Sequence, residues 1–440
     1  MEKILKILIN FLIILCLVLT STIIIDDFGI GHQDISNRIR GLVGGSYDTS
    51  TVSPIPPTQL CTSISVINNF AKDPTTGRNF TWNTPLSNKT GVFEYCRKEE
   101  FQGFDSMNII KVIAQSYETK TDKDTRMIHK VSLKNLEPGT EYTYRIVYDS
   151  GIFSPQETFK TASKGLDPFT FIQITDTQGS NATDYSLWKN TLGKALEKFP
   201  GADFLIHTGD MVDDGGKINQ WDLFADAANS ELMNLPIAPT IGNHEMLNKN
   251  GSNPNAKNFT DTFNIPSTIN TGAPSGTVYS FDYGNAHIAV MNTECGKENL
   301  KAQGDWLISD MSGTDKLWKI VALHRGLYGA TYDSSEIRNA WAPIFDQLGI
   351  DLVLQGHDHN YVRTYPMKAE TIVSAGKGTV YITANSGGVK FYPQKWRSWQ
   401  AVDLQPYIQM FIAVTVNNNK MVIDAYDVNN VLRNTKTLTK

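Results

Sequence analysis

Phe204-Leu-Ile-His-Thr-Gly-Asp-Met-Val-Asp213 decides how the second half of the chain folds. A short run of strand character enters Gly209, and a carboxylate follows at once. A glycine there lets the backbone turn without a side chain in the way. Asp210 is thereby delivered at the end of a strand. The same arrangement recurs on both sides. Asp176 ends Phe171-Ile-Gln-Ile-Thr175, and Asn243 and His244 follow Pro239-Thr-Ile-Gly242. His324 ends Ile320-Val-Ala-Leu323, and His357 and His359 follow Leu352-Val-Leu-Gln-Gly356. Between these strands the pattern predicts helices over 185–199, 218–235, 304–310 and 336–348. Further strands are predicted at 277–283, 287–292, 380–384, 408–416 and 421–426. Strand and helix in alternation predict an α/β domain over 167–440, with its site where strands end.

Upstream the grammar differs. Residues 58–163 read as short alternating strands at 63–67, 79–82, 127–133 and 142–148. They are separated by turn signals such as Asp73-Pro-Thr-Thr-Gly77 and Pro138-Gly139. No long helical pattern interrupts them, which predicts a β-sandwich. Residues 26–57 have linker composition, rich in glycine and ending in Pro54-Ile-Pro-Pro57. At the start, Lys3 and Lys6 precede an uncharged run from Ile7 to Ile25, closed by Asp26 and Asp27. That is the pattern of a cleaved signal peptide or an uncleaved signal anchor over 1–25. Either form predicts a secreted, lumenal or extracellular protein, the second as a type II membrane protein. Five Asn-x-Ser/Thr triplets, at Asn79, Asn88, Asn181, Asn250 and Asn258, agree with export as glycosylation candidates.

Composition narrows the function. The 440 residues are 40% hydrophobic and 19% charged, enough for sizeable cores and against a mostly disordered chain. The formal net charge of −5 gives no whole-chain attraction for nucleic acid. Four cysteines exclude a disulfide-dense scaffold, and none forms a CxxC pair. Cys16 lies in the leader, so the odd number outside it implies at least one unpaired thiol or a partner on another chain; Cys61 and Cys96 share one candidate domain and could pair. Cys295 reads as a small buried residue.

The strand-end set of Asp176, Asp210, Asn243, His324, His357 and His359 is metal-ligand chemistry. Two divalent ions about 3.5–4 Å apart clamp the attacking and leaving oxygens of a phosphoryl transfer. A bridging carboxylate holds such a pair together, and Asp210 is the candidate bridge. His357 and His359 are two residues apart. An irregular turn after Gly356 would send one to each metal, whereas a regular strand would point both to one face. His207 and His287, beside apolar neighbours, read as structural.

In order, Asp176, Gly209-Asp210-Met-Val-Asp213, Gly242-Asn243-His244-Glu245, His324 and Gly356-His357-Asp-His359 resemble the five blocks of the calcineurin-like metallophosphoesterase superfamily. Leu136-Glu-Pro-Gly-Thr-Glu-Tyr-Thr-Tyr-Arg145 resembles the late-strand corner of a fibronectin type III domain, as in the N-terminal domain of purple acid phosphatases. The resemblance covers roughly 58–440. It implies a four-layer αββα sandwich preceded by a fibronectin III-like sandwich. It also implies a dinuclear phosphomonoesterase, or a phosphodiesterase or nucleotide hydrolase on the same site. A binding module with a vestigial site is the reading from another class. By resemblance Asp210 bridges two metal ions (Fe, Zn or Mn). Asp176 and His359 complete the first site, and Asn243, His324 and His357 the second. A metal-bound hydroxide attacks phosphorus in a small phosphorylated substrate, with His244 as general acid or phosphate contact. Asn243 also faces substrate. Glu245 is a candidate to orient water or support a ligand, and Arg325 to touch phosphate or form an ion pair. The segment 247–277 is a candidate specificity loop, or a glycosylated surface loop.

Two departures matter. Gln178 stands where many members have a histidine, and an amide oxygen is a weaker ligand for transition metals. Either Gln178 is a further, weak ligand or water fills its place, and the first metal is expected to be labile. Asp213 stands where purple enzymes carry an iron-binding tyrosine. It instead resembles the block of Ser/Thr protein phosphatases, where this aspartate pairs with the histidine that here is His244. Such a pair would raise the imidazole pKa and favour a protonated acid. Without the tyrosinate, the protein reconstituted with iron is expected to be colourless. An absorption spectrum checks this, and a visible tyrosinate-to-iron charge-transfer band would contradict it.

Overall fold

The runs that alternate with helices in the sequence lie side by side. In the computed structural model, which describes residues 59–60, 65–149, 152–246 and 255–440, Phe169–Ile174 pairs in parallel with Phe204–His207. The latter pairs in parallel with Ile237–Pro239. Met410–Asn417, Lys420–Asp427 and Leu432–Thr439 extend this sheet antiparallel on one side. A second, seven-stranded sheet runs Tyr279–Tyr283, Ala286–Val290, Trp318–Arg325, Leu352–Gly356, Val380–Thr383, Tyr361–Thr364, Gln400–Leu404. The two sheets face each other across one apolar core that includes Phe171, Phe204, Ile206, Ile288, Ile320, Leu352 and Ile382, all fully buried. Helices Ala182–Lys198 and Ile218–Ala227 cover the outside of the first sheet through Trp188, Leu192, Trp221 and Phe224. Lys297–Ser312 and Ser335–Leu348 cover the second through Leu307, Trp341 and Phe345. The layers are helix, sheet, sheet, helix, as expected. Both parallel sets end on the same side, which is where their loops meet.

The N-terminal part is an all-β sandwich around Phe80, Trp82, Phe93, Tyr144 and Phe159. The hydroxyl of Tyr142 accepts a hydrogen bond from the Glu137 main-chain N–H at 2.8 Å, pinning the corner after the Pro-Gly turn. Strands Val92–Arg97, Ile110–Ile113 and Gln115–Lys120 were not expected. Nor is this layer separate from the next. Val66–Phe70 pairs in parallel with Ile237–Pro239 at Ile237↔Asn69, so a ten-stranded sheet runs through both parts. Asn69 Nδ2 donates to Ile237 O at 2.9 Å, closing the junction with a side chain.

Several expectations shift. The single helix predicted over 218–235 is two, Ile218–Ala227 and Asn229–Asn234, broken at Ala228. The strand predicted at 239–241 lies at Ile237–Pro239, ending on a residue with no N–H to continue the ladder. Of the 247–277 segment the structure describes residues 255–277. Asn264 Nδ2 donates to Phe80 O and Val131 O, and Tyr117 donates to Asp261, so this stretch docks on the β-sandwich. Asn79 is no glycan acceptor in the fold. It is 4% exposed, and its amide donates to Phe70 O and Asn264 O. The Asn258 amide is likewise engaged, with Gly215 O at 2.8 Å. Asn181 is exposed and Asn88 half-buried. The leader, the linker, Cys61 and Asn250 lie outside the described residues. Cys96 is buried, whereas Cys295 is only half-buried. Among the described residues no helix is long and apolar enough to cross a membrane.

His287 is structural in a specific way. Its Nδ1 lies 2.6 Å from Asp282 and its Nε2 2.7 Å from Asp310, tying the helix Lys297–Ser312 to the sheet edge. Burial alone would depress its pKa, but the two carboxylates outweigh it and raise it to about 9. A raised histidine stabilises fully below its unfolded value and loses that contribution as pH climbs through the folded value. His287→Gln is therefore expected to lose about 1–2 kcal/mol at pH 6. The gap to the parent should close between about pH 6.5 and 9.5 in urea unfolding; a pH-independent gap would contradict this account.

Candidate metal centre

Asp176, Asp210, His357 and His359 all have backbone φ between +50° and +74°, at 52°, 54°, 74° and 50°. This is the left-handed region that non-glycine residues rarely occupy, and such strain concentrates at functional sites. It bends each loop sharply off its strand and turns the side chain inward. Gly209 precedes Asp210 at φ +92°, and a Cβ there would sit 2.6 Å from His324 Nδ1. Gly242 is equally constrained, because a Cβ would fall 2.2 Å from Asp210 Oδ1. The glycines of the two blocks are thus needed for close approach.

The result is two overlapping donor groups. Asp210, His324 and His357 bring one ligand atom each within 4.8 Å of one another, and so do Asp176, Asp210 and His359. Asp210 belongs to both. His357 and His359 divide between the groups, so the irregular turn after Gly356 prevails over a continued strand. Asn243 Oδ1 lies 3.2 Å from His324 Nε2, which itself lies 3.3 Å from Asp210 Oδ1. His359 Nε2 is 3.4 Å from Asp176 Oδ1.

The surroundings fix which atoms face inward. His324 Nδ1 donates to Thr208 O at 2.8 Å, and His359 Nδ1 to Lys390 O at 3.1 Å. Each Nε2 lone pair is then left toward the carboxylates. Asp176 Oδ2 accepts the His357 N–H at 2.9 Å, while its Oδ1 is buried without a hydrogen-bond partner. Gln178 Oε1 is also buried and unpartnered, with its Nε2 at 3.4 Å from Asp210 Oδ2. Carboxylate, imidazole and amide donors with orphaned oxygens at their centre fit two transition-metal ions.

The electrostatics agree. For His324, burial lowers the pKa, but Asp210 at bonding distance raises it to about 10. Asp210 is held well below the carboxylate range; burial opposes this, and His324 and its neighbours overcome it. The buried carboxylate demands a positive partner, which a metal supplies by displacing the proton. Burial, and then the neighbouring His324 and Arg325, push His357 down to about 2, so it is neutral, the form that binds metal.

Glu245 neither faces the centre nor orients water there. Its carboxylate accepts four main-chain N–H groups: Asp210 at 2.9 Å and Gly242 at 2.7 Å on Oε2, Met211 at 2.7 Å and Val212 at 3.1 Å on Oε1. It clamps the Asp210 loop to the loop of Asn243. Arg325 forms the expected ion pair rather than standing free, its single Nε–H shared between the two carboxylate oxygens of Glu294 at 2.9 and 3.0 Å. Its Nη1 lies 3.3 Å from His357 Nε2. The Asp213–His244 pair is looser than expected. His244 Nδ1 lies 2.6 Å from the Asp213 main-chain carbonyl and 3.7 Å from its carboxylate. That carboxylate takes Lys390 Nζ at 2.8 Å instead.

Sequence reasoning missed Lys390, Tyr332 and Tyr392. Tyr332, in the loop after Trp318–Arg325, left no signal; for the loop that carries Lys390 and Tyr392 the signal was Asn385-Ser-Gly-Gly388 after the strand Val380–Thr383. It is a sixth strand end whose Ser386 hydroxyl donates to Asp176 O at 2.7 Å.

Comparison with known proteins places this architecture. Residues 169–361 match the family model of calcineurin-like phosphoesterases, and residues 64–161 that of the purple acid phosphatase N-terminal domain. The chain belongs to the calcineurin-like phosphoesterases, in the purple acid phosphatase-like group. An uncharacterized protein of Mycobacterium tuberculosis is 25% identical over 65% of this chain and 62% of its own length. Mouse acid phosphatase type 7 is 25% identical over 64% of this chain and 69% of its own. Probable inactive purple acid phosphatase 27 of Arabidopsis thaliana is 25% identical over 60% of this chain, which spans half of that relative. The fold is shared with purple acid phosphatase PPD1 of yellow lupin seeds. That match has a TM-score of 0.73 at 19% identity, over 85% of this chain and 74% of that one.

Glu245→Ala leaves four buried N–H groups unsatisfied and frees the Asp210 loop. It is expected to cost about 3 kcal/mol or more and to speed metal loss under chelation. Urea unfolding and metal analysis after dialysis check both, and parent-like retention of metal would contradict the clamp.

Proposed function

We propose that this chain is an exported dinuclear-metal phosphatase that hydrolyses phosphate monoesters. One observation carries the reading: two donor triads share the buried Asp210. In this proposal Asp176, Asp210 and His359 hold one ion, with Gln178 as its weak fourth ligand. Asp210, Asn243, His324 and His357 hold the other. Two ions so placed neutralise phosphate charge and acidify water.

The chain's own groups do the rest. His244 is the second residue of the helix Asn243–Met246 and is half-buried at the rim. Its Nδ1 proton is held by the Asp213 carbonyl, which fixes the ring and aims Nε2 across the centre. From there it contacts phosphate or passes a proton to the leaving oxygen. The Lys390 ammonium, restrained by Asp213 at 2.8 Å, supplies a further positive charge at the mouth. Export rests on the leader pattern and on the exposed Asn181 triplet.

The test is phosphate release from aryl phosphate by the chain secreted from a eukaryotic host, with Mn²⁺, Zn²⁺ or Fe²⁺ added. Asp210→Ala is expected to reduce kcat at least a thousandfold, and Lys390→Met to raise KM about tenfold with a smaller change in kcat. A folded, metal-loaded parent that cleaves bis-aryl esters but no monoester would make the protein a diesterase. Cleavage of neither would return it to a binding module.

A further inference from the structure

The mouth of the metal centre carries a feature that phosphate binding alone does not require. The Tyr332 ring lies 4.5 Å from the His357 ring, between centroids, and Tyr392 lies 4.6 Å from His359. The two tyrosines meet edge to face at 6.0 Å. One tyrosine therefore stands against a histidine of each donor group, and together they form a continuous aromatic wall. Tyr392 is half-buried, while Tyr332 is 44% exposed.

This wall is built, not incidental. The Asp358 carboxylate, between the two histidines, accepts the N–H groups of Ala330, Thr331 and Tyr332, the last two at 3.1 and 3.3 Å. Arg397 Nε donates to Ala330 O at 2.9 Å, and Trp399 Nε1 to Gly329 O at 2.8 Å. On the other loop, the Gln405 amide spans His359 O and Tyr392 O at 2.7 and 2.6 Å. The residue that separates the two metal-site histidines therefore also sets the position of Tyr332. A large apolar ring held rigidly in water, beside groups that otherwise recognise charge, has little ordering entropy left to lose when a flat partner stacks on it.

We infer that Tyr332 is a specificity-determining residue, the platform on which the organic group of the substrate stacks, and that this group is planar and aromatic. The inference rests on the phosphatase reading and names the class of monoester it prefers: one with a π-system near phosphorus, whether an aryl group or a nucleobase. Aromatic stacking of this kind changes affinity by about three- to tenfold.

The experiment measures kcat and KM of the metal-loaded full chain on phenyl phosphate, a nucleoside 5′-monophosphate and glycerol 2-phosphate. Tyr332→Leu and Tyr332→Phe are run beside the parent. The parent is expected to favour a planar ester over glycerol phosphate. Tyr332→Leu should reduce that preference at least threefold, mainly through KM, and Tyr332→Phe should keep it. The aryl and nucleotide arms tell which source of planarity fits. Equal losses on all three esters would mean that the ring acts only by supporting His357, and would overturn the inference, as would an unchanged preference. Calorimetry with phenylphosphonate and methylphosphonate reads the same contrast without turnover. Absence of hydrolysis therefore counts against the phosphatase reading alone, whereas equal binding of the two phosphonates by parent and Tyr332→Leu counts against the platform.

Discussion

The burial of the Asp210 carboxylate between two groups of donors is the constraint around which the rest is arranged. A carboxylate with almost no access to water needs positive partners on every open side. His324 stands on one side, the Asp176–His359 group on the other, and the His244 N–H caps Oδ1 at 3.0 Å. The backbone that carries it is left-handed, and four N–H groups of this loop and its neighbour converge on Glu245. That loop has few ways to relax. A side chain at Gly209 or Gly242 would strike a metal-site residue. The strain is sustained because strands anchor both ends, and their apolar faces belong to the core between the sheets.

That core explains why six loops reach one point. The strands Phe169–Ile174, Phe204–His207, Ile237–Pro239, Trp318–Arg325, Leu352–Gly356 and Val380–Thr383 are parallel within their sheets and terminate at the same edge. Packing of the two sheets brings the edges together, so donors more than 180 residues apart meet, as Asp176 and His357 do. The strand Trp318–Arg325 shifts register between Ala322 and Arg325, next to His324. Such irregularities re-aim side chains at sites. The ten-stranded sheet then ties the β-sandwich to the same framework through Val66–Phe70.

Most of this was legible because it is local. A run of strand residues, a glycine and a metal-competent side chain follow one another within ten residues at Asp210 or His357, so both the element and its product are visible. What stayed hidden depends on pairings across the chain. The partner of the Asp213 carboxylate, Lys390, is 177 residues away. The Asn79 triplet is a valid acceptor by sequence, and only its bond to Asn264, 185 residues on, shows its amide committed. Tyr332 and Tyr392 sit in loops without periodicity, where no pattern distinguishes a fixed ring from a solvated one. Glu245 was visible as a residue but not in its role, since its partners are main-chain atoms and carry no sequence signature.

Charge balance bears on why the proposed site takes an anionic ester. At the rim, Lys390 is matched by Asp213 and Arg325 by Glu294. Glu245, whose pKa burial and the neighbouring Asp210 raise to about 7, is held by four N–H dipoles. The histidines contribute no charge as ligands, which leaves Asp176 and Asp210 as the anions at the centre. Cations held there would face two buried carboxylates, so an anionic phosphate entering the site would meet positive charge that the protein's own groups do not fully cancel. The conversion of Asp213 to a neutral residue would release the Lys390 ammonium and add a positive charge at the rim.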